Sequence, residues 1–170
     1  MIYIVSGFMR SGTSMMMRAM EAGGMQAVYS KARDTEMNAR WGEADGSYVP
    51  NDSYYELAAE DYRGPEFPGQ YEGKLIKCLI GGALRLPVGE CRVVVMRRPA
   101  REIALSLRAF FGSVPAQVER EGFDEQMARS IEILRDRRSF LTVDEVWYGD
   151  VIANPAAVLG KLNWPIDIDK

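Results

Sequence analysis

The chain has no histidine, only two cysteines, and no apolar run near the ~20 residues of a membrane span. Each absence excludes something. Without histidine there is no imidazole to serve as a general base near neutral pH. Cys78 and Cys91 are too few for a disulfide framework. Each sits in or beside an apolar segment, where buried reduced thiols belong. The first residues enter an apolar strand directly, without the basic start and apolar core of a signal peptide, so the expected location is the cytoplasm and no membrane partner is expected. The formal net charge of −3 over 170 residues argues against a nucleic-acid partner. Against that acidic background, Arg92, Arg97, Arg98, Arg101 and Arg108 fall within seventeen residues, a density that suits one small anion better than a polyanion.

What is present is concentrated in Ser6-Gly-Phe-Met-Arg-Ser-Gly-Thr-Ser14. It follows the apolar run Met1 to Val5 and precedes a methionine-rich segment of helical character, giving the order strand, loop, helix. Gly7 and Gly12 bracket four residues, as in the G-x-x-x-x-G-K-[ST] phosphate loop, but Thr13 stands where the lysine belongs. Glycines let the backbone turn sharply, so successive N–H groups and the positive end of the helix dipole converge on one anion. Thr13 and Ser14 add hydroxyl donors, and Arg10 places a cation within the loop. Gly7, Phe8, Met9, Arg10, Ser11, Gly12, Thr13 and Ser14 are therefore the first candidate binding residues, for a phosphate. Triphosphatases also need an acid at another strand end to hold Mg²⁺. The clearest later strand, Arg92 to Met96, runs instead into Arg97-Arg98-Pro99. No metal is expected, and a kinase-like loop binding Mg²⁺–ATP is the alternative that Thr13 argues against.

A loop with a basic residue at the position of Arg10 resembles that of the sulfotransferases that use 3′-phosphoadenosine 5′-phosphosulfate, where it holds the 5′-phosphosulfate. Their second element is a strand running into R-x-P and then a helix with a serine two turns on, which binds the 3′-phosphate. Here it reads Val93-Val-Val-Met-Arg97-Arg98-Pro99-Ala-Arg-Glu-Ile-Ala-Leu-Ser106. Arg97 matches by its spacing to Pro99 and Arg98 by lying eight residues before Ser106; both stay open. Tyr148-Gly-Asp-Val151 with Asn154-Pro155 is similar to the family's Y-E-D-L…P signature, and Asn51-Asp-Ser-Tyr-Tyr-Glu56 to the N-P-x-G-Y-Y-E of bacterial members. The four echoes keep family order and span about residues 2 to 160. The R-K-G segment that finishes the 3′-phosphate site in many cytosolic members is not found.

The resemblance implies sulfuryl transfer from 3′-phosphoadenosine 5′-phosphosulfate to a hydroxyl or amine of a small-molecule or carbohydrate acceptor, leaving 3′,5′-bisphosphoadenosine. Such a reaction needs a cation where charge grows on the leaving oxygen. Arg10 takes that part, an electrostatic one, since an arginine does not give up its proton at neutral pH. Lys77 is the second cation, either facing the sheet rim, as a strand lysine does in the family, or snorkelling to solvent. With no histidine, the base must be a carboxylate: Glu56 first, by its match to the Tyr-Tyr-Glu motif, then Glu36. If neither serves, the chain is a non-catalytic nucleotide-binding protein.

The remaining pattern predicts a three-layer α/β domain, one parallel sheet flanked by helices, of the phosphate-loop type, over residues 1–170. Leu75 to Ile80, Val93 to Met96 and Leu141 to Trp147 read as later strands; Ser14 to Ala22, Pro99 to Phe111, Pro115 to Phe140 and Asn154 to Leu162 read as helices. Met15, Met16, Met17 and Met20 are expected to pack the first helix on the sheet. Residues 30–72, rich in aromatics, glycine and acids, read as a lid or substrate-side wall, with one helix over Ser53 to Tyr62 and loop elsewhere. Arg129, Arg135, Arg137 and Arg138 read as an exposed helix face, with Arg137 and Arg138 as further candidates for the 3′-phosphate.

Overall fold

The apolar runs assemble into one four-stranded, all-parallel sheet in the order β2-β1-β3-β4. The computed structural model describes residues 1–41, 54–57, 67, 69–86, 90–137 and 140–169. Strand β1 (Ile2–Gly7) leads into α1 (Thr13–Ala22) and α2 (Lys31–Trp41). Then come β2 (Leu75–Lys77), α3 (Ile80–Ala83) and β3 (Cys91–Arg97), followed by α4 (Ala100–Phe111), α5 (Ala116–Glu119) and α6 (Phe123–Asp136). Strand β4 (Phe140–Trp147), α7 (Tyr148–Ala153) and α8 (Pro155–Leu159) complete the order.

Alternation along the strands divides the core between two sheet faces. Ile2, Ile4, Cys91, Val93 and Val95 pack with Ile103 and Leu107 of α4 and Ile131 and Leu134 of α6. Val5, Val94 and Met96 point the other way, to Met16, Met17 and Met20 of α1 and to Val151, Leu159 and Trp164. Strands buried on both faces need continuous apolar sequence, which Val93-Val-Val-Met supplies. Met16, Met17 and Met20 are fully buried, each worth roughly 1.5–3 kcal/mol over exposure, so their work is packing, and Met15 packs partly buried against the same cluster. The three-layer α/β architecture matches the expectation.

Connectivity places the site. From β1 the chain moves outward to β2, then returns past β1 to β3 and on to β4. Parallel crossovers are right-handed, so reversing direction puts their helices on opposite faces and opens a crevice at the strand C-termini between β1 and β3. Both the Ser6–Ser14 loop and the Arg97-Arg98-Pro99 turn lie at that edge, Gly7 pairing in register with Met96.

Four local expectations are corrected. Residues 31–41 form α2 instead of loop; the Ser30 hydroxyl accepts from Arg33 N at 3.2 Å and opens the helix. The Pro115–Phe140 helix is two, broken at Gly122 (φ 88°), and Phe140 already begins β4. Strand β2 stops at Lys77 and Ile80 begins α3. Residues 54–57 are not helical, because Tyr55 has φ 56° and backbone bonds run to other elements; the rest of the Ser53–Tyr62 segment, with Asn51, Tyr48 and Arg138, lies outside the described residues. Among the described residues no helix is long and apolar enough to cross a membrane.

Candidate functional site

The loop is stitched from within. Ser11 donates both its backbone N–H (3.1 Å) and its hydroxyl (2.7 Å) to the Phe8 carbonyl, and Arg10 takes φ 64°. Gly7 (φ 147°) and Gly12 (φ 98°) complete the turn. A Cβ on Gly7 would meet Met96 O at 2.8 Å, and one on Gly12 would meet Tyr148 Cδ2 at 2.6 Å. Gly12 then caps α1 with no side-chain hydrogen bond, so the first-turn amides have only solvent or ligand to satisfy them.

This loop lines a cavity of about 590 Å³. Met9, Arg10, Gly12, Thr13 and Ser14 face it; Lys77 and Leu79 enter from the end of β2, and Arg98, Glu102, Ser106 and Phe110 from the β3–α4 turn and α4. Arg10 reaches across: its Nε donates to Ser106 Oγ at 3.0 Å and its guanidinium lies 4.8 Å from the Phe110 ring centre. Arg98 reaches back, donating to the Arg10 carbonyl at 3.1 Å while stacking on Tyr148 at 4.1 Å. Two stretches 88 residues apart in sequence thus share one set of hydrogen bonds.

Arg97 and Arg98 point to different surroundings at the end of β3. Arg97 is turned from the cavity, pairing with Glu145 at 2.8 Å, which Arg135 also holds at 2.8 Å, and stacking on Trp147. Arg98 faces the cavity with Ser106. Its partner Glu102 is half exposed, so that ion pair is weak.

Lys77 is buried rather than snorkelling. Its ammonium pairs with Glu56 at 2.7 Å and donates to Ser14 Oγ at 3.3 Å and to the Tyr54 carbonyl. Glu56 therefore lies on the cavity wall, a quarter exposed. Glu36 is exposed, paired with Arg33 at 3.0 Å, and outside the cavity lining. Other candidates fall elsewhere: Ser11 is consumed within the loop, and Gly7 and Phe8 line a different cavity. Arg137 donates to the carbonyls of Leu84 and Leu86, fixing the chain after α3, and is not among the residues lining the cavity. Among the described residues no cluster of metal-ligating side chains exists.

Sequence reasoning missed the device that presents Glu56. Asp34 of α2 is buried, and its carboxylate accepts from the backbone N–H groups of Tyr54 (3.2 Å) and Tyr55 (3.4 Å). Ser30 N donates to Glu56 O at 2.9 Å, and the Tyr55 hydroxyl donates to Glu21 at 2.7 Å. Burial, then that bond to Glu21, raises the Tyr55 pKa above the ordinary phenol value, keeping the donor protonated. Nothing local in the sequence marks Asp34, since its partners lie twenty and more residues away. Tyr148 opens α7 directly after β4 and walls the loop. No protein-family model, curated protein or solved structure matches this chain.

Proposed function

We propose that the protein is a sulfotransferase of the phosphate-loop type, using 3′-phosphoadenosine 5′-phosphosulfate. The observation that carries this reading is the meeting of Arg10, Arg98 and Ser106 on one cavity wall, because it joins a phosphate-loop cation to a second anion subsite. The residues fit such a ligand. Gly7 and Gly12 leave backbone room where any Cβ would collide, and among the described residues three cations line the cavity against two carboxylates.

The bound donor supplies the sulfuryl group, whose sulfur–oxygen bond to the 5′-phosphate breaks as a bond to the acceptor oxygen or nitrogen forms. The loop amides, Thr13 and Ser14 hold the 5′ end, and Arg98 with Ser106 holds the 3′-phosphate. Arg10 stabilises the charge that develops as the electron pair leaves with the phosphate oxygen. Glu56 receives the acceptor's proton, and Lys77 keeps its carboxylate oriented into the cavity.

The Glu56–Lys77 ion pair also favours a second reading, a non-catalytic nucleotide-binding protein in which that pair is a strut. Glu56→Gln separates the two. With a catalytic base, turnover on a phenolic test acceptor falls roughly 10²–10⁴-fold while affinity for 3′,5′-bisphosphoadenosine stays within about twofold. Unchanged turnover removes Glu56 from the reaction, and absence of turnover in the unmodified protein selects the binding reading.

A further inference from the structure

A second cavity, of about 360 Å³, shares Met9 and Leu79 with the first but differs from it in chemistry. Among the described residues, five charged side chains line the first cavity and none lines the second. Its walls are Phe8 at the start of the loop, Ile80 and Leu84 after β2, and Phe123 and Met127 of α6. The Phe8 and Phe123 rings meet edge-on, centroids 5.1 Å apart, and methionine offers a polarisable surface to a further ring. The polar groups are neutral: the Gln117 and Gln126 amides, each able to donate and accept, and Ser130, whose hydroxyl is bonded to Gln126 O.

An anion gains nothing in such a space, and a charged group would lose its hydration there without compensation. An uncharged ring system with one or two hydrogen-bonding groups gains apolar contact on most sides. The volume is at the lower end of the ligand-pocket range of roughly 300–1,000 Å³, sufficient for one or two fused rings. We propose that this second cavity binds the uncharged aromatic body of the acceptor, with its nucleophilic group directed through the Met9–Leu79 seam toward the charged cavity. The word acceptor rests on the sulfotransferase reading; the chemistry of the cavity does not.

Gly81 provides the test. It lines the second cavity within α3, and a Cβ there meets no atom within 4 Å, so Gly81→Leu extends a side chain into open space. The change also removes a helical glycine, so the fold should not suffer. Ser130→Leu adds bulk at a second lining position, from α6. Binding of 2-naphthol is measured by saturation-transfer NMR, with and without saturating 3′,5′-bisphosphoadenosine, and nucleotide affinity by calorimetry. The expected result is naphthol binding weakened at least tenfold by both substitutions, with nucleotide affinity unchanged. Naphthol binding indifferent to both, or no naphthol binding by a protein that binds the nucleotide, overturns the proposal. A tenfold loss of nucleotide affinity in Gly81→Leu would place the nucleotide's base there and overturn it equally. Naphthol binding that is lost in both variants, in a protein that never binds the nucleotide, supports the cavity and defeats the sulfotransferase reading.

Discussion

Gly12→Ala tests the loop at its tightest point. Gly12 sits at φ 98° and ψ 15°, and an added methyl would lie 2.6 Å from Tyr148 Cδ2 and 3.2 Å from Cε2. The left-handed backbone costs a residue with a Cβ about 1–2 kcal/mol. The collision adds about 1–3 kcal/mol, since an aromatic ring stacked on Arg98 at 4.1 Å has little freedom to withdraw. Together that is about 2–5 kcal/mol, and at this chain length each kcal/mol lowers Tm by roughly 2–4 °C. Thermal unfolding of the parent, Gly12→Ala, Tyr148→Ala and the double variant separates the two costs. With the ring gone, Gly12→Ala should cost only its backbone share, leaving a coupling of about 1–3 kcal/mol. Additive losses, or a Gly12→Ala variant within about 0.5 kcal/mol of the parent, would refute the described approach of loop and ring.

Two further outcomes follow from neighbouring geometry. Arg98→Met should weaken 3′,5′-bisphosphoadenosine at least tenfold, about 1.4 kcal/mol. Arg97→Met should leave that affinity within about twofold and instead cost about 1–3 kcal/mol of stability in urea denaturation, because it strips a buried partner from Glu145; the reverse pattern would exchange the two roles. Burial pushes the Cys91 thiol from 9.0 up to about 11. The unfolded chain therefore releases that proton first, and stability falls as pH rises through this window. Denaturation of the parent against Cys91→Ala at pH 7.5 and 10 should show the parent's advantage shrinking at the higher pH, and an advantage independent of pH would contradict a buried, protonated thiol.

The sheet and its edge were legible because they depend on local pattern. Val93-Val-Val-Met reads as a doubly covered strand because it is short, β-branched and apolar throughout, and Gly7 and Gly12 mark the turn between β1 and α1 by their spacing. The Arg97–Arg98 ambiguity was not resolvable from spacing: which side a residue takes at a strand end depends on where the strand stops pleating, and Arg97 is still in register with Trp147. Lys77 was undecidable for a related reason. An apolar run with one lysine reads the same whether the ammonium faces solvent or a carboxylate twenty-one residues earlier, and Glu56 supplies the latter. Tyr54 to Glu56 is not helix because its local propensity is overridden by a bond to Asp34 and by bonds from Ser30 and Lys77, none adjacent in sequence. Helix α2 did carry a signal, the Ser30 cap, which the glycine- and aromatic-rich surroundings masked.

The most direct test of the account is a calorimetric titration with 3′,5′-bisphosphoadenosine, 5′-AMP and Mg²⁺–ATP. Under the proposed function, the loop takes the 5′-phosphate and Arg98 with Ser106, linked to it through Arg10, takes a second phosphate. The bisphosphate should therefore bind at least tenfold tighter than 5′-AMP, a gap of about 1.4 kcal/mol, with no dependence on Mg²⁺ and no ATP hydrolysis above background. Equal affinities for the bisphosphate and 5′-AMP, or tight Mg²⁺-dependent binding of ATP, would contradict it.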